Sequence, residues 1–392
     1  MRLADTRAER LAALVLDYSI GIKPNDRLLI RGGPVFANYA ILLQEKSFQR
    51  GAQSRYDLLS WSYDHVRGLV ERNKMKEWQR EFERRAEVYT WCNAVITLNC
   101  ESYNTYHEGI PDGLKRVAEF EKTVEKPAKS MMYRDHPFKG IVPKWNLVAF
   151  PYARGARRLG MTMSEFKDFI YGCTIGEDWQ AMSRKMRVVK DALDGAKDVH
   201  LLVGNPKDGI RTDLHLSLKG RGGEICAGKY NMPDGEVYWG PVEDGINGQI
   251  YFQAPTLGGC GGNLIQGISF KVKDGRIVEH DARINPQGLK TTLDVDEGSK
   301  GFGEFACGFN SKITRPMKDV LFDEKIGGTI HMAVGASYEG RPLSSGGGKN
   351  RSDNHWDLVC DMRPDLKNLS EYPGGEIRVD GKVIQKDGEW LI

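Results

Sequence analysis

Six side chains in the last third of this 392-residue chain have the types and spacing for metal chemistry: Glu236, Glu304, His331, Tyr338, His355 and Asp357. All lie between Asn231 and Met362. His331 sits in the run Gly328-Thr329-Ile330-His331-Met332-Ala333-Val334-Gly335. Ile330, Met332 and Val334 alternate with Thr329, His331 and Ala333, so a strand here sends the first set to a core and holds His331 on the other face. Thr329 and Ala333 are small and leave room around the imidazole. Tyr338 follows seven residues after His331, past Gly335, within reach of the same pocket.

His355-Trp356-Asp357 has the i, i+2 spacing that sets an imidazole and a carboxylate side by side on an extended chain, a two-ligand claw for one ion. It follows a Gly- and Ser-rich stretch, SSGGGKNRSDN, able to fold closely over a ligand. Glu236 is the first residue of a strand launched by the turn Pro233-Asp234-Gly235. Glu304 stands between Gly303 and Phe305. A buried glutamate is costly without a compensating cation, so neither glutamate suits a merely decorative place. Any one of these residues alone fits an ordinary polar position of a β-rich domain. As a set they point to a site with nitrogen and oxygen ligands, which suits Zn, Co, Mn or Fe better than a thiolate-bound metal.

Two other glycine-rich motifs fail on context. Gly301-Phe302-Gly303-Glu304-Phe305-Ala306 has the spelling of a dinucleotide fingerprint, but it follows the polar run DVDEGSK and not a buried strand. Ser344-Ser345-Gly346-Gly347-Gly348-Lys349 resembles a phosphate loop, but Leu343 holds the place of the first glycine and Asn350 that of the magnesium-binding hydroxyl.

The elements that must position the six residues fall into two compositional halves. Residues 7–18 place Leu11, Leu14, Val15 and Tyr18 at helical spacing. A short strand over Arg27–Arg31, a helix over 35–50 ending at Gly51, and strands near Arg55–Ser60, Ala94–Leu98 and Asn146–Pro151 follow. Charged helices are expected over 65–90 and 114–135. A further helix starts near Met163, capped by Thr162 or Ser164, and another spans 178–195 with Trp179, Met182, Met186 and Val189 facing the core. Arg154, Arg157 and Arg158 read as a solvated helix face. From about residue 197 glycine becomes dense and helices become scarce. Strands are expected at 200–204 and 213–220, with His215 on the polar face opposite Leu214 and Leu216. Asp-Gly turns join strands at 271–280 and twice in the C-terminal EIRVDGKVIQKDGEWLI. The fold class expected is an α/β N-terminal domain with a partly parallel sheet, 1–195, plus a β-rich α+β C-terminal metal-binding domain, 196–392, the boundary falling somewhere in 100–200.

Composition bounds the function classes. A hydrophobic fraction of 40% and a charged fraction of 28% describe a soluble globular chain. A formal net charge of +3 gives no electrostatic reason to expect nucleic acid or an anionic membrane as partner. The N-terminal MRLADTRAERLAALVLDY lacks the apolar core of a signal peptide, and no long apolar run spans a membrane. The seven cysteines, at 92, 100, 173, 226, 260, 307 and 360, show no CxxC pair and read as buried thiols in a reducing cytoplasm.

The pieces NMPDGEV, GEFACGFN, DEKIGGTIHMAVGASY and SDNHWD, in this order, resemble the thermophilic metal-dependent aminopeptidases of bacteria, the aminopeptidase T and aminopeptidase S type. Thr212-Asp213-Leu214 adds to the likeness, which is strongest over 200–362 and fainter over 10–60 and 145–178. The resemblance implies two divalent metal ions (Zn, Co, Mn or Mg). Glu236, Glu304 and His331 would hold one, and Glu304, His355 and Asp357 the other, with Glu304 bridging. Tyr338 would sit beside them as an oxyanion donor, and Glu304 or Glu324 would carry the proton to the leaving amine. It implies peptide substrates cut at the N-terminus, and a homodimer. The 17-residue step from Tyr338 to His355 is shorter than is usual in that family, so the loop there bears on specificity. The same scaffold also resembles the dihydroxypyridine ring-cleaving dioxygenases, where His331, His355 and Asp357 alone would hold a single Fe(II).

Overall fold

Helix and strand signals in the first half produce a parallel sheet flanked by helices. The computed structural model describes residues 5–57, 91–99, 144–205, 209–257, 264–338, 346–364 and 374–392, with isolated positions 68, 76, 77 and 80. Apart from those isolated positions, the helices expected over 65–90 and 114–135 lie outside the described residues, as do Cys100, Cys260 and the loop 339–345. The chain divides into two compact units, Met1–Gly176 with Gly228–Pro233, and Glu177–Ala227 with Asp234–Ile392.

In the first unit, helix α1 (Thr6–Ala13) runs on into a π-helical turn, Leu14–Ser19, in which Ile20 N–H bonds the Val15 carbonyl. Strands β1 (Arg27–Arg31), β2 (Gln53–Asp57), β3 (Ala94–Asn99) and β4 (Lys144–Ala149) pair in the order β2-β1-β3-β4, all parallel. The two-residue strand Asn231–Met232 adds to β4. Helix α2 (Ala37–Phe48) connects β1 to β2, and Leu28, Leu29 and Ile30 of β1 are buried. Helices α3 (Ala153–Arg158) and α4 (Met163–Cys173) follow β4. Thr162 is the N-cap of α4: its hydroxyl accepts the Glu165 N–H, and the Glu165 carboxylate accepts the Thr162 N–H at 2.7 Å.

The second unit opens with helix α5 (Trp179–Leu193), capped by Asp178, with Trp179, Met182, Met186 and Val189 buried as their spacing requires. Its strands of three or more residues are β5 (Val199–Asn205), β6 (Gly209–Leu216), β7 (Glu224–Cys226), β8 (Glu236–Trp239), β9 (Ile246–Phe252), β10 (Leu264–Lys273), β11 (Arg276–Ile284), β12 (Phe302–Gly308), β13 (Thr329–Gly335), β14 (His355–Asp361), β15 (Gly375–Val379) and β16 (Lys382–Lys386). With the two-residue strands Thr256–Leu257 and Glu389–Trp390, they build among the described residues a nine-stranded sheet centred on β9-β6-β5-β15 and a five-stranded sheet in the order β14-β13-β12-β8-β7. Both are antiparallel. The turns Asp274-Gly275, Asp380-Gly381 and Asp387-Gly388 all carry positive φ at both positions, the conformation that suits a two-residue hairpin.

The five-stranded sheet has an apolar back. Phe305 pairs across strands with Trp239 and with Met332, which pairs with Leu358. The Trp239 ring stacks on Phe305, and its N–H donates to Asp194 just past α5. The Trp356 N–H donates to Thr256 beside the larger sheet. Every residue of β12 and β13 is buried. The alternation around His331 therefore sorts side chains between two buried faces, not between core and solvent.

The cap of α4 gives a direct check. Thr162→Ala removes the hydroxyl that accepts the Glu165 N–H, leaves the backbone bond to the Glu165 carboxylate, and is expected to cost about 1 kcal/mol in urea unfolding. An unchanged unfolding midpoint contradicts that role.

Candidate metal centre

Cross-strand register gathers five of the six residues. In an antiparallel pair, directly opposed residues project to the same side. Glu304 of β12 opposes Ala333 of β13, which opposes Asp357 of β14. His331 opposes Ala306 on one side and Val359 on the other. His355 opposes Gly335, and Glu236 opposes Gly308. All five ligand-type side chains thus share one face, and each meets an alanine or glycine across at least one ladder. Ala306, Ala333, Gly308 and Gly335 leave the face open; the alternation already places Ala333 on the His331 face, and the register adds the other three. Gly335 has φ +98° and packs against the Asn354 carbonyl, where a Cβ has no room. Gly235, with φ +128°, turns the chain into β8 directly before Glu236.

The side chains converge closely. His331 Nε2 lies 3.0 Å from Glu304 Oε1 and 3.4 Å from Glu236 Oε2. His355 Nε2 lies 3.5 Å from Asp357 Oδ1, 4.0 Å from Glu304 Oε2 and 2.9 Å from Tyr338 Oη. Glu304 stands between the two imidazoles. The His355 Nδ1–H donates to the Ala336 carbonyl at 2.6 Å, which fixes the ring and turns Nε2 to the site. Tyr338 also meets Tyr238 edge-on. The backbone carrying Tyr338 and His355 is tied down: Ser337 Oγ donates to Gly303 O, Asn350 Nδ2 to Gly298 O and Gly335 O, and Asp296 accepts from Ser299, Ser352 and Asp353.

Glu324 and Lys325 complete the cluster. Lys325 is fully buried, contacts the Glu324 carboxylate, and lies 3.6 Å from Glu236 Oε1. One donor atom from each of Glu236, Glu324 and His331 falls within 4.8 Å of the others, and the same holds for Glu304, His331 and Asp357. The buried lysine escaped sequence reasoning, because a lysine in DEKIGG looks like surface.

The electrostatics leave the site short of positive charge. Burial raises the Glu304 carboxyl, and Asp357 and Glu236 add to the rise against the His331 hydrogen bond. Burial works against a charged His355, but Asp357 and Glu304 outweigh it and hold the imidazole up at about 9. His331 is raised in the same way, burial being overcome by Glu304 and Glu236. Asp357 is driven down to about 2, burial being overcome by His355 and His331. Burial and the nearby Glu304 push the Tyr338 phenol up, so it stays a donor. Even so, Glu236 Oε2, Glu304 Oε2 and Asp357 Oδ1 are buried without a hydrogen bond. Buried carboxylate oxygens left in this way beside two imidazoles fit a divalent cation.

Two outcomes follow. Ala333→Leu fills the gap between Glu304 and Asp357 and is expected to abolish metal retention, whereas Met332→Leu on the opposite face retains it; equal retention contradicts the geometry. In the metal-free chain, the raised His355 contributes stability that is complete below its unfolded 6.5 and lost as pH rises through about 9. The Asp357 contribution is present above its unfolded 3.8 and lost as pH falls through about 2. Urea midpoints of the metal-free chain should therefore fall between pH 6.5 and 9, and His355→Gln should reduce that slope. An unchanged slope contradicts the assignment.

Known proteins share this architecture. Aminopeptidase AmpS of Bacillus subtilis is 24% identical over 430 residues, covering 97% of each chain. Aminopeptidase T of Thermus thermophilus is 24% identical over 430 residues, covering 98% of each. The solved structure of wild-type AmpT from Thermus thermophilus matches with a TM-score of 0.78 at 20% identity, over 98% of this chain and 99% of that one. The structure of 2,5-dihydroxypyridine dioxygenase from Pseudomonas putida KT2440 matches with a TM-score of 0.57 at 12% identity, over 99% and 98%. These two structural likenesses establish a shared fold. A model of the thermophilic metalloprotease (M29) family matches residues 4–390, nearly the whole length, and the chain belongs to that family.

Proposed function

We propose that this protein is a metal-dependent aminopeptidase that removes N-terminal residues from peptides, with Glu236, Glu304, His331, His355 and Asp357 holding two divalent ions (Zn, Co, Mn or Mg). The observation that carries the reading is the set of buried, hydrogen-bond-free carboxylate oxygens facing two imidazoles on one sheet face. Membership of a metalloprotease family and relatives named aminopeptidases support it. Charge supports a cation: with neutral imidazoles, the carboxylates of Glu236, Glu304, Asp357 and Glu324 outnumber the ammonium of Lys325 among the described residues.

When bound, divalent ions in such a site supply Lewis-acid activation of a carbonyl and of an attacking water. The chain's own residues do the rest. Glu304, central between the imidazoles and raised in proton affinity, takes a proton from the water and returns it to the leaving amine. Glu324 is the alternative carrier of that proton. The Tyr338 hydroxyl donates to the oxyanion that develops on the scissile carbonyl. Ala336 holds the His355 tautomer, and Lys325 offsets the charge of Glu236 and Glu324. The same reading includes a homodimer, from the family resemblance, and a cytoplasmic location, consistent with the buried thiols of Cys226, Cys307 and Cys360.

The ring-cleaving dioxygenase reading rests on likeness of fold. Glu236 and Glu304, each grouped with His331, are superfluous to a single two-His-one-carboxylate iron and argue for the hydrolase. The test is hydrolysis of aminoacyl-p-nitroanilides, abolished by a chelator and restored by Co or Zn. Glu304→Gln is expected to lower kcat/KM by roughly 10²–10⁴-fold while the protein stays folded. No turnover across a panel of amino acids, with oxygen uptake on a pyridine diol, would refute the peptidase.

A further inference from the structure

A second group of imidazoles and carboxylates lies on the polar face of the nine-stranded sheet, on strands that carry none of the candidate metal-centre residues. His200 of β5 and His215 of β6 are direct cross-strand partners, and their rings stack with centroids 3.8 Å apart and planes inclined by 14°. His200 Nε2 lies 2.7 Å from Asp213 Oδ1, and His215 Nδ1 lies 2.8 Å from Asp198 Oδ1. One donor atom from each of His200, Asp213 and His215 falls within 4.8 Å of the other two.

The support beneath is rigid. β5 and β6 are both interior strands, and Leu201, Leu214 and Leu216 on their opposite face are fully buried. The access above is open: the side chains of Asp213 and His215 are 47% and 49% exposed, and that of His200 18%. An imidazole that gives one nitrogen to a carboxylate presents the other to a metal in a fixed orientation. His215 has this arrangement, with Nδ1 committed to Asp198. His200 and Asp213 meet nitrogen to oxygen. Donor atoms around a tetrahedral Zn²⁺ lie about 3.3 Å apart, given bonds of ~2.0–2.1 Å, so small side-chain rotations admit an ion between them.

We propose that His200, Asp213 and His215 form an accessory site for a divalent first-row metal ion, with Asp198 orienting His215. Two imidazoles and one carboxylate suit Zn²⁺ or Co²⁺ and leave coordination positions to water. An exposed three-ligand site exchanges its ion readily, so this ion leaves before any held by the buried carboxylates.

The probe is Co²⁺ added to full-length protein stripped by a chelator, with bound equivalents read by equilibrium dialysis and the ligand field read from the visible spectrum. His200→Ala and His215→Ala should each bind one equivalent fewer than wild type, lose the same spectral component, and keep wild-type hydrolysis at saturating metal. Glu304→Gln should retain that component, so the result stands apart from the proposed catalytic centre. Equal equivalents and an unchanged spectrum in wild type, His200→Ala and His215→Ala overturn the accessory site. So does a deficit confined to Glu304→Gln, which would leave the aminopeptidase reading intact.

Discussion

The structure turns on burying the carboxyl groups of Glu236, Glu304 and Asp357 side by side. Moving a carboxylate out of water is costly, and a neighbouring like charge adds to the cost. The protein offsets part of this with Lys325, which has no solvent exposure, and with His331 and His355, whose imidazoles are both pulled toward the protonated form. The oxygens still without a hydrogen bond are the remainder, and they all face the same small volume. A fold in which no cation ever entered would gain by replacing them with apolar side chains.

Much of the surrounding design follows from that concentration of charge. Alanine and glycine across the ladders keep the face open, while aromatic and aliphatic residues on the reverse face anchor the sheet. Every residue of β12 and β13 is buried, on the polar face as on the apolar one. The segments that do not form strands are fixed by polar contacts instead. Asp296 gathers Ser299, Ser352 and Asp353, and Asn350 bridges two carbonyls, so that the approach to His355 is as constrained as the strand itself.

What the sequence made legible was local. The alternation around His331, the i, i+2 pair His355 and Asp357, the Thr162 cap and the Asp-Gly turns each depend on neighbours a few residues away, and each appears as its residue types require. The parallel sheet of the first unit was also readable, because strand and helix patterns alternate there. What stayed hidden depends on long-range register. Nothing near Ala306 or Ala333 announces that they stand opposite ligand-type residues, and nothing in DEKIGG marks Lys325 as buried. His215 was readable as a polar-face residue, but its partner His200 and the carboxylates Asp198 and Asp213 come together only through strand pairing. The family resemblance assigned roles where periodicity could only assign faces.

Anomalous diffraction from crystals of the metal-loaded protein tests whether the buried carboxylates and imidazoles hold two ions. If Glu236, Glu304, His331, His355 and Asp357 hold two ions as proposed, two peaks should stand among these five side chains. A single peak held by His331, His355 and Asp357, with Glu236 and Glu304 turned away, would contradict it.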